Sequence, residues 1–294
     1  MLVAHLAGQV LHLVERRRFS DEYRVIDSIV TTVGDAVPER ADLISYDGRG
    51  VAAVSNCRTP SVSLYRVGRR SLSFLREISS SDPHPGYMHG VEFNPDGTQV
   101  CLINSGGTRL IRVHDVASGD ELYTLEFPGW GPKDASYIDA DHMVVSLSNG
   151  SPTAESGESY SSRVALVRVD VQQQSHEILD IAEMPGVHVD GIFHFRGAVA
   201  VADQTQGLIR RYRVADGRLC EDTPVSGFDF PHGVCLDRHR MAVTCYGDSS
   251  LCVLPRDATE FVPETTQVLG RAARATERVH RQFARATEAV VAEG

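Results

Sequence analysis

A chain of 294 residues, with 42% hydrophobic and 23% charged residues, can bury a sizeable core as one large domain or two small ones. Its net charge of −10 argues against nucleic acid and anionic membrane surfaces as partners, and no apolar run is long enough to span a bilayer. Six cysteines without a CxxC pair or zinc spacing, and an N-terminus interrupted early by Glu15-Arg16-Arg17-Arg18, predict a reduced, cytoplasmic protein.

The first elements in chain order are three strand-like runs, Leu2 to Leu6, Gln9 to Val14 and Tyr23 to Thr31. A repeat follows. His89-Gly90-Val91, Asp190-Gly191-Ile192 and His232-Gly233-Val234 each open a short strand, and Asp134-Ala135-Ser136 is a degenerate copy. Aligned with Arg40 as the first copy, these positions recur every 42 to 56 residues, the period of four-stranded propeller blades. Within a unit the first strand is followed by a polar turn such as Asn94-Pro95-Asp96-Gly97. A second apolar strand, a Gly/Ser-rich loop and two further strands joined by Ser118-Gly119-Asp120 come next. Unit three carries a polar insertion, Gly150 to Ser162, that reads as a surface loop or a lid.

Five copies and the partial N-terminal unit predict an all-β, six-bladed propeller over residues 1–262. Its ring would close with strands from both chain ends, and Glu260-Phe261-Val262 is the candidate for the last one. From Pro263 the pattern becomes helical. Val268, Ala272, Ala275, Val279, Phe283, Ala286 and Val290 form an apolar stripe, so residues 263–294 are expected to be an amphipathic helix. That helix would either dock on the propeller or join two copies as a homo-oligomer.

In a propeller the first strands line the central channel, so their leading residues meet at one mouth. His89, Asp134, Asp190 and His232 are therefore the candidate catalytic set, with Arg40 or Glu39 from the first unit. Two imidazoles and two carboxylates suit a divalent cation, so the same four residues are the candidate metal ligands. Without a metal, a His beside an Asp can serve as general base. The plainer alternative is that these side chains only bond the backbone at a tight turn. Around them, Asn56, Asn104, Asn149, Asp203 and Tyr246 end the second strands and form an expected outer ring, whose oxygens would favour calcium, magnesium or manganese over zinc. Tyr87, Trp130, His188 and Phe230 precede the repeat positions and would either wall a pocket or fill gaps between blades. Lys133 is the sole lysine among 29 Lys and Arg residues, which reflects either the composition of the chain or a use for an amine beside Asp134. The expected partner is a small-molecule substrate, and no nucleotide-binding fingerprint occurs.

With these motifs in hand, Met88 to Phe127 and Pro231 to Leu254 resemble the YVTN-type propeller repeat. Asp190 to Tyr212 is similar to the gluconolactonase/regucalcin group and, more distantly, to strictosidine-synthase-like propellers. The resemblance covers about residues 40–255. It implies a divalent metal at the channel mouth, with Asp190 and Asp134 at ligand positions and Glu39 standing for a glutamate in an unmatched context. His89 and His232 replace the Asn or Asp of that group, a departure from its calcium-type set. The activity it implies is lactone or ester hydrolysis, with condensation or cyclisation on the same scaffold as the alternative. The YVTN-type likeness instead implies a non-catalytic ligand- or protein-binding propeller.

Overall fold

The computed structural model describes residues 2–5, 9–16, 23–33, 37–81, 87–106, 108–149, 161–248 and 250–261. Every regular element among them is a strand. β1 (Leu2–His5), β2 (Val10–Arg16) and β3 (Tyr23–Val30) form an antiparallel sheet, and β4 (Thr32–Val33) pairs with β5 (Val37–Pro38). The first blade is β6 (Ala41–Tyr46), β7 (Val51–Asn56), β8 (Ser61–Val67) and β9 (Leu72–Ser79). The second is β10 (Met88–Phe93), β11 (Gln99–Asn104), β12 (Leu110–Asp115) and β13 (Glu121–Glu126). The third is β14 (Gly131–Tyr137), β15 (His142–Ser148), β16 (Ser161–Asp170) and β17 (Ser175–Pro185). The fourth is β18 (Val189–Phe195), β19 (Ala198–Asp203), β20 (Leu208–Ala215) and β21 (Arg218–Val225). The fifth has three strands, β22 (Pro231–Leu236), β23 (Arg240–Cys245) and β24 (Ser250–Pro255).

The core is distributed between blades. Ile103, Ile111 and Leu125 of blade two face Tyr137, Val145 and Val167 of blade three. Val144, Val164 and Leu166 of blade three face Ile192, Val199 and Tyr212 of blade four. A second strand is thus covered on both faces, which is why Val100-Cys101-Leu102-Ile103 reads as an unbroken apolar run rather than an alternating one. The glycines of the repeat have a packing reason as well. A Cβ on Gly90 would lie 2.6 Å from the Lys133 carbonyl oxygen, and one on Gly191 would lie 2.6 Å from the His232 carbonyl oxygen. Inner strands converge on the channel axis, and only a hydrogen fits between neighbouring backbones there.

Two expectations are corrected. The propeller has five blades, not six. The N-terminal strands β1 to β3 pair only with one another, and no strand from the other end of the chain completes them among the described residues. This sheet instead wedges between the fifth and first blades, with Val14 against Leu251 on one side and Leu11 and Leu13 against Val54 and Tyr65 on the other. Glu260, expected near ring closure, bridges Ser226 in parallel fashion, and Phe261 stacks on Phe228 at 5.4 Å. Apolar stacking thus fixes this segment at the junction of blades four and five. The described residues contain no helix, and the C-terminal helix expected over 263–294 lies outside them. No helix among the described residues is long and apolar enough to cross a membrane. All six cysteines are free thiols.

Candidate functional site

Each inner strand is interrupted by a bulge at its start. In β10 Met88 pairs with Asn104 and Gly90 with Ile103, which leaves His89 as the extra residue. In β22 Pro231 pairs with Cys245 and Gly233 with Thr244, which leaves His232. In β14 Pro132 pairs with Leu147 and Asp134 with Ser146, which leaves Lys133. The registers of β6 and β18 shift across Asp42-Leu43 and Asp190-Gly191. A hydroxyl latch aligns the copies: the amides of Leu43, Asp134 and Gly233 donate to Ser55, Ser146 and Thr244 at 2.9, 3.0 and 2.9 Å. The hydroxyls of Ser55 and Ser146 also donate to the carbonyls of His89 and Asp190 on the next blade, at 2.6 and 2.7 Å. A bulge turns its side chain out of the pleat, and here that aims one residue per blade at the mouth: Asp42, His89, Lys133, Asp190 and His232.

This register corrects the repeat alignment in two blades. Arg40 lies two residues before the ring position and is exposed. Asp134 lies one residue after it and turns towards blade four, where its Oδ2 accepts the Ile192 amide at 3.0 Å. Burial raises its carboxyl well above the usual range. Blades one and three lack the marker glycine, carrying Leu43 and Asp134 instead, so sequence spacing alone slipped there. Asp42 was missed for this reason.

The ring is buried and tightly coupled. His89 Nε2 lies 2.5 Å from Asp190 Oδ1 and 3.8 Å from Asp42 Oδ2. His232 Nε2 lies 3.2 Å from Asp42 Oδ1 and 3.4 Å from Asp190 Oδ2. The imidazole rings of His89 and His232 are 5.3 Å apart. His89 Nδ1 is 3.0 Å from the Lys133 carbonyl oxygen. A carbonyl only accepts, so Nδ1 carries the proton and Nε2 is directed at the two carboxylates. Tyr246 donates its hydroxyl to Asp42 Oδ1 at 2.9 Å, and its ring stacks on His232 at 4.1 Å. Gln204 donates to Asp190 Oδ2. Asp42 Oδ2 and Asp190 Oδ1 are buried and accept no conventional hydrogen bond, each facing His89 as its ion-pair partner.

Electrostatics follow from this crowding. Burial opposes ionisation of Asp190 and Asp42, but the neighbouring histidines overcome it and hold both carboxyls below their usual range. Burial likewise opposes charge on His232, and Asp190 with Asp42 override it, lifting the imidazole to about 9. His188 has no such compensation; burial takes it down to about 4 against a weaker pull from Asp190. Burial also lowers Lys133, with Asp190 and Asp42 opposing. The ligand atoms of Asp42, His89 and His232 all lie within 4.8 Å of one another, a spacing that fits one metal ion.

The remaining sequence candidates are placed as follows. Asn56 donates to Ser61 and Ser63 at 2.9 and 3.0 Å, and Asn104 accepts the Gly106 amide at 3.1 Å. Asn149 accepts the Ser161 amide at 2.7 Å, and Asp203 accepts Arg210 Nε at 2.9 Å. These side chains brace the turns after the second strands, and Tyr246 of the outer five reaches the ring. Glu39 bonds the Arg40 amide and Thr59. Tyr87 lies 5.4 Å from His89, ring to ring, and Phe230 stacks 6.4 Å from Tyr246, both more than a third exposed at the mouth. Trp130 packs against the core between blades two and three, under the Arg163 guanidinium at 4.0 Å. His188 is buried beside Ser148, 3.3 Å from its hydroxyl.

Comparisons with known proteins bear on the fold. No protein-family model matches the chain, and no match is found among curated proteins. The YVTN-type and gluconolactonase likeness therefore has no family match behind it. Solved structures do match. A structure of Kuenenia stuttgartiensis hydrazine synthase is 14% identical, with a TM-score of 0.60 over 87% of this chain and 73% of that one. U3-55K is 12% identical, with a TM-score of 0.55 over 86% of this chain and 91% of its own. The C-terminal WD40 domain of Sif2 is 11% identical, with a TM-score of 0.49 over 84% of this chain and 90% of its own. At such identities the shared property is architecture: the chain is an all-β propeller.

Proposed function

We propose that the mouth ring is a divalent-cation centre that activates the carbonyl of a small-molecule ester or lactone for hydrolysis. Asp42, His89 and His232 would hold the ion, with Asp190 as a fourth donor. The observation that carries this reading is the pair of orphaned oxygens. Asp42 Oδ2 and Asp190 Oδ1 are buried without hydrogen bonds and flank the Nε2 atom of His89. Both oxygens depend on His89 alone for compensation, and a cation among these atoms would supply what the missing hydrogen bonds do not. Two imidazole and two carboxylate donors favour zinc or manganese over calcium or magnesium.

When bound, such an ion supplies Lewis acidity and lowers the pKa of water. The residues around it have separate tasks. The Lys133 carbonyl fixes the His89 tautomer, as second-shell acceptors of ligating histidines do. Tyr246 and Gln204 orient the two carboxylates by donating to one oxygen of each. Tyr87 and Phe230 offer ring faces at the mouth to an apolar part of the substrate.

The test is metal uptake by chelator-treated protein, followed by calorimetry and elemental analysis. One equivalent of zinc or manganese is expected in the wild type, and none in His232→Ala or Asp42→Asn. A panel of lactones and aryl esters with the loaded protein then tests the reaction. No stoichiometric uptake, or uptake unchanged in both variants, would refute the metal centre and leave a cluster of paired histidines and carboxylates.

A further inference from the structure

Lys133, the fifth member of the ring, is assigned no task as a ligand. Of 29 lysine and arginine residues it alone is a lysine, and the bulge register gives it the same strand position as the other ring residues, near enough to Asp190 and Asp42 to feel their charges. It is half-buried. Among the described residues its ammonium makes no hydrogen bond or close ion pair; Asp190 and Asp42 act on it only at longer range, and Arg109 repels it. Arg109 is itself held at a φ of 59°, a left-handed conformation that is costly for a non-glycine residue.

The charges of the ring add up simply. Two carboxylates balance a divalent ion, the ligating imidazoles are neutral, and the ammonium is left over. Arg109 adds a second positive charge nearby. A ligand with one negative charge offsets the ammonium, whereas a neutral one leaves both cations short of a partner in a low-dielectric mouth. The choice of lysine fits the same purpose. A guanidinium here would fork onto the Asp190 or Asp42 carboxylate and take it from the metal. An ammonium is a compact point charge that leaves both carboxylates free.

We infer that the substrate of this centre carries a carboxylate, and that Lys133 receives it while the metal-bound end of the site handles the carbonyl. This rests on the divalent-centre reading above. It narrows the substrate class to carboxylate-bearing esters or lactones.

The test uses Co²⁺ as a visible probe in the full-length protein, with lactate and lactamide as ligands that differ in charge but not in shape. Lactate is expected to shift the Co²⁺ absorption at concentrations at least ten-fold lower in the wild type than in Lys133→Met, with lactamide affinity equal in the two. Lys133→Arg should keep part of the lactate preference, because the charge remains. The Co²⁺ spectrum without ligand should be the same in all three proteins, since any residue at 133 supplies the carbonyl that His89 uses. Failure of the wild type to take up Co²⁺ would overturn the metal centre and this assignment with it. Co²⁺ uptake with equal lactate affinity in wild type and Lys133→Met would overturn the lysine assignment alone.

Discussion

Glu92 offers a stringent test of how the channel is built, because it is an acid surrounded by three blades. It lies on β10, below the ring. Ser45 of blade one donates to its Oε2 at 2.7 Å, while Ser136 and the Tyr137 amide of blade three approach Oε1 at 3.1 and 3.4 Å. Burial raises its carboxyl from 4.5 to about 7, and these three donors offset only part of the rise. The folded state therefore binds the proton more tightly than the unfolded chain does. The stabilisation is complete below the unfolded value, near pH 4.5, and is lost as pH rises through about 7. A displacement of this size corresponds to about 3 kcal/mol. Glutamine imitates the protonated acid, since its amide can donate to Ser45 while its oxygen accepts from Ser136 and Tyr137. Relative to wild type, Glu92→Gln should thus gain about 3 kcal/mol of stability between acid and mildly alkaline conditions. Urea unfolding of both proteins from pH 4.5 to 8.5 measures it; groups remote from Glu92 titrate in both and cancel in the difference, while Asp134, which Glu92 raises, adds to the change. A difference that stays constant across that range would refute the burial of an acid between these three blades.

The ring and its supports yield further expectations. Tyr246→Phe removes the donor to Asp42 Oδ1 and should weaken metal affinity about ten-fold or more while leaving the circular dichroism spectrum unchanged. Ser55→Ala and Ser146→Ala each break a latch between adjacent blades and should each cost about 1–3 kcal/mol in urea unfolding. Gly191→Ala places a methyl 2.6 Å from the His232 carbonyl oxygen; about 1–3 kcal/mol of destabilisation is expected, because the obstacle is backbone. Asp134→Asn keeps the acceptor for the Ile192 amide and loses only an acid that burial already disfavours ionising. It should leave metal uptake intact, whereas Asp190→Asn should abolish it; equal loss in the two would put Asp134 back in the ring.

What the sequence made legible depended on glycine. Where the ring residue precedes a glycine, as at His89, Asp190 and His232, the position could be read directly, because neighbouring backbone at Gly90 and Gly191 and the Thr244 hydroxyl at Gly233 leave no room for a Cβ, so the glycine marks the bulge. In blades one and three the marker is absent. Leu43 and Asp134 occupy the glycine position, Asp134 directing its carboxylate across to Ile192. Nothing in the spacing then distinguishes Asp42 from Arg40, or Lys133 from Asp134. The serine latch is the signal that could have corrected both, since Ser55 and Ser146 each precede the end of a second strand. Blade number was less legible still. The N-terminal runs have the alternation of blade strands, but whether a three-stranded sheet becomes a blade or a wedge depends on which strands pair with it, and pairing across a whole chain leaves no local pattern.

The bulge explains why structural and chemical roles separate so cleanly by one residue. The amide after the ring residue is taken by a latch hydroxyl in blades one, three and five, and the glycine or its substitute fills the contact with the next blade. The ring residue has its main partners among the other ring residues and the groups at the mouth rather than in the blade cores. Its side chain is turned inward by the extra backbone residue, so its identity differs from blade to blade while the latch and the bulge recur. Asp, His, Lys, Asp and His occupy the five positions. A purely structural ring would be better served by small or apolar residues, since two buried carboxylates must be compensated by the two histidines and keep one oxygen each without a conventional hydrogen bond. The ligand atoms of Asp42, His89 and His232 lie close enough together to hold one cation, and the metal-uptake and Lys133 experiments above decide whether the ring is used in that way.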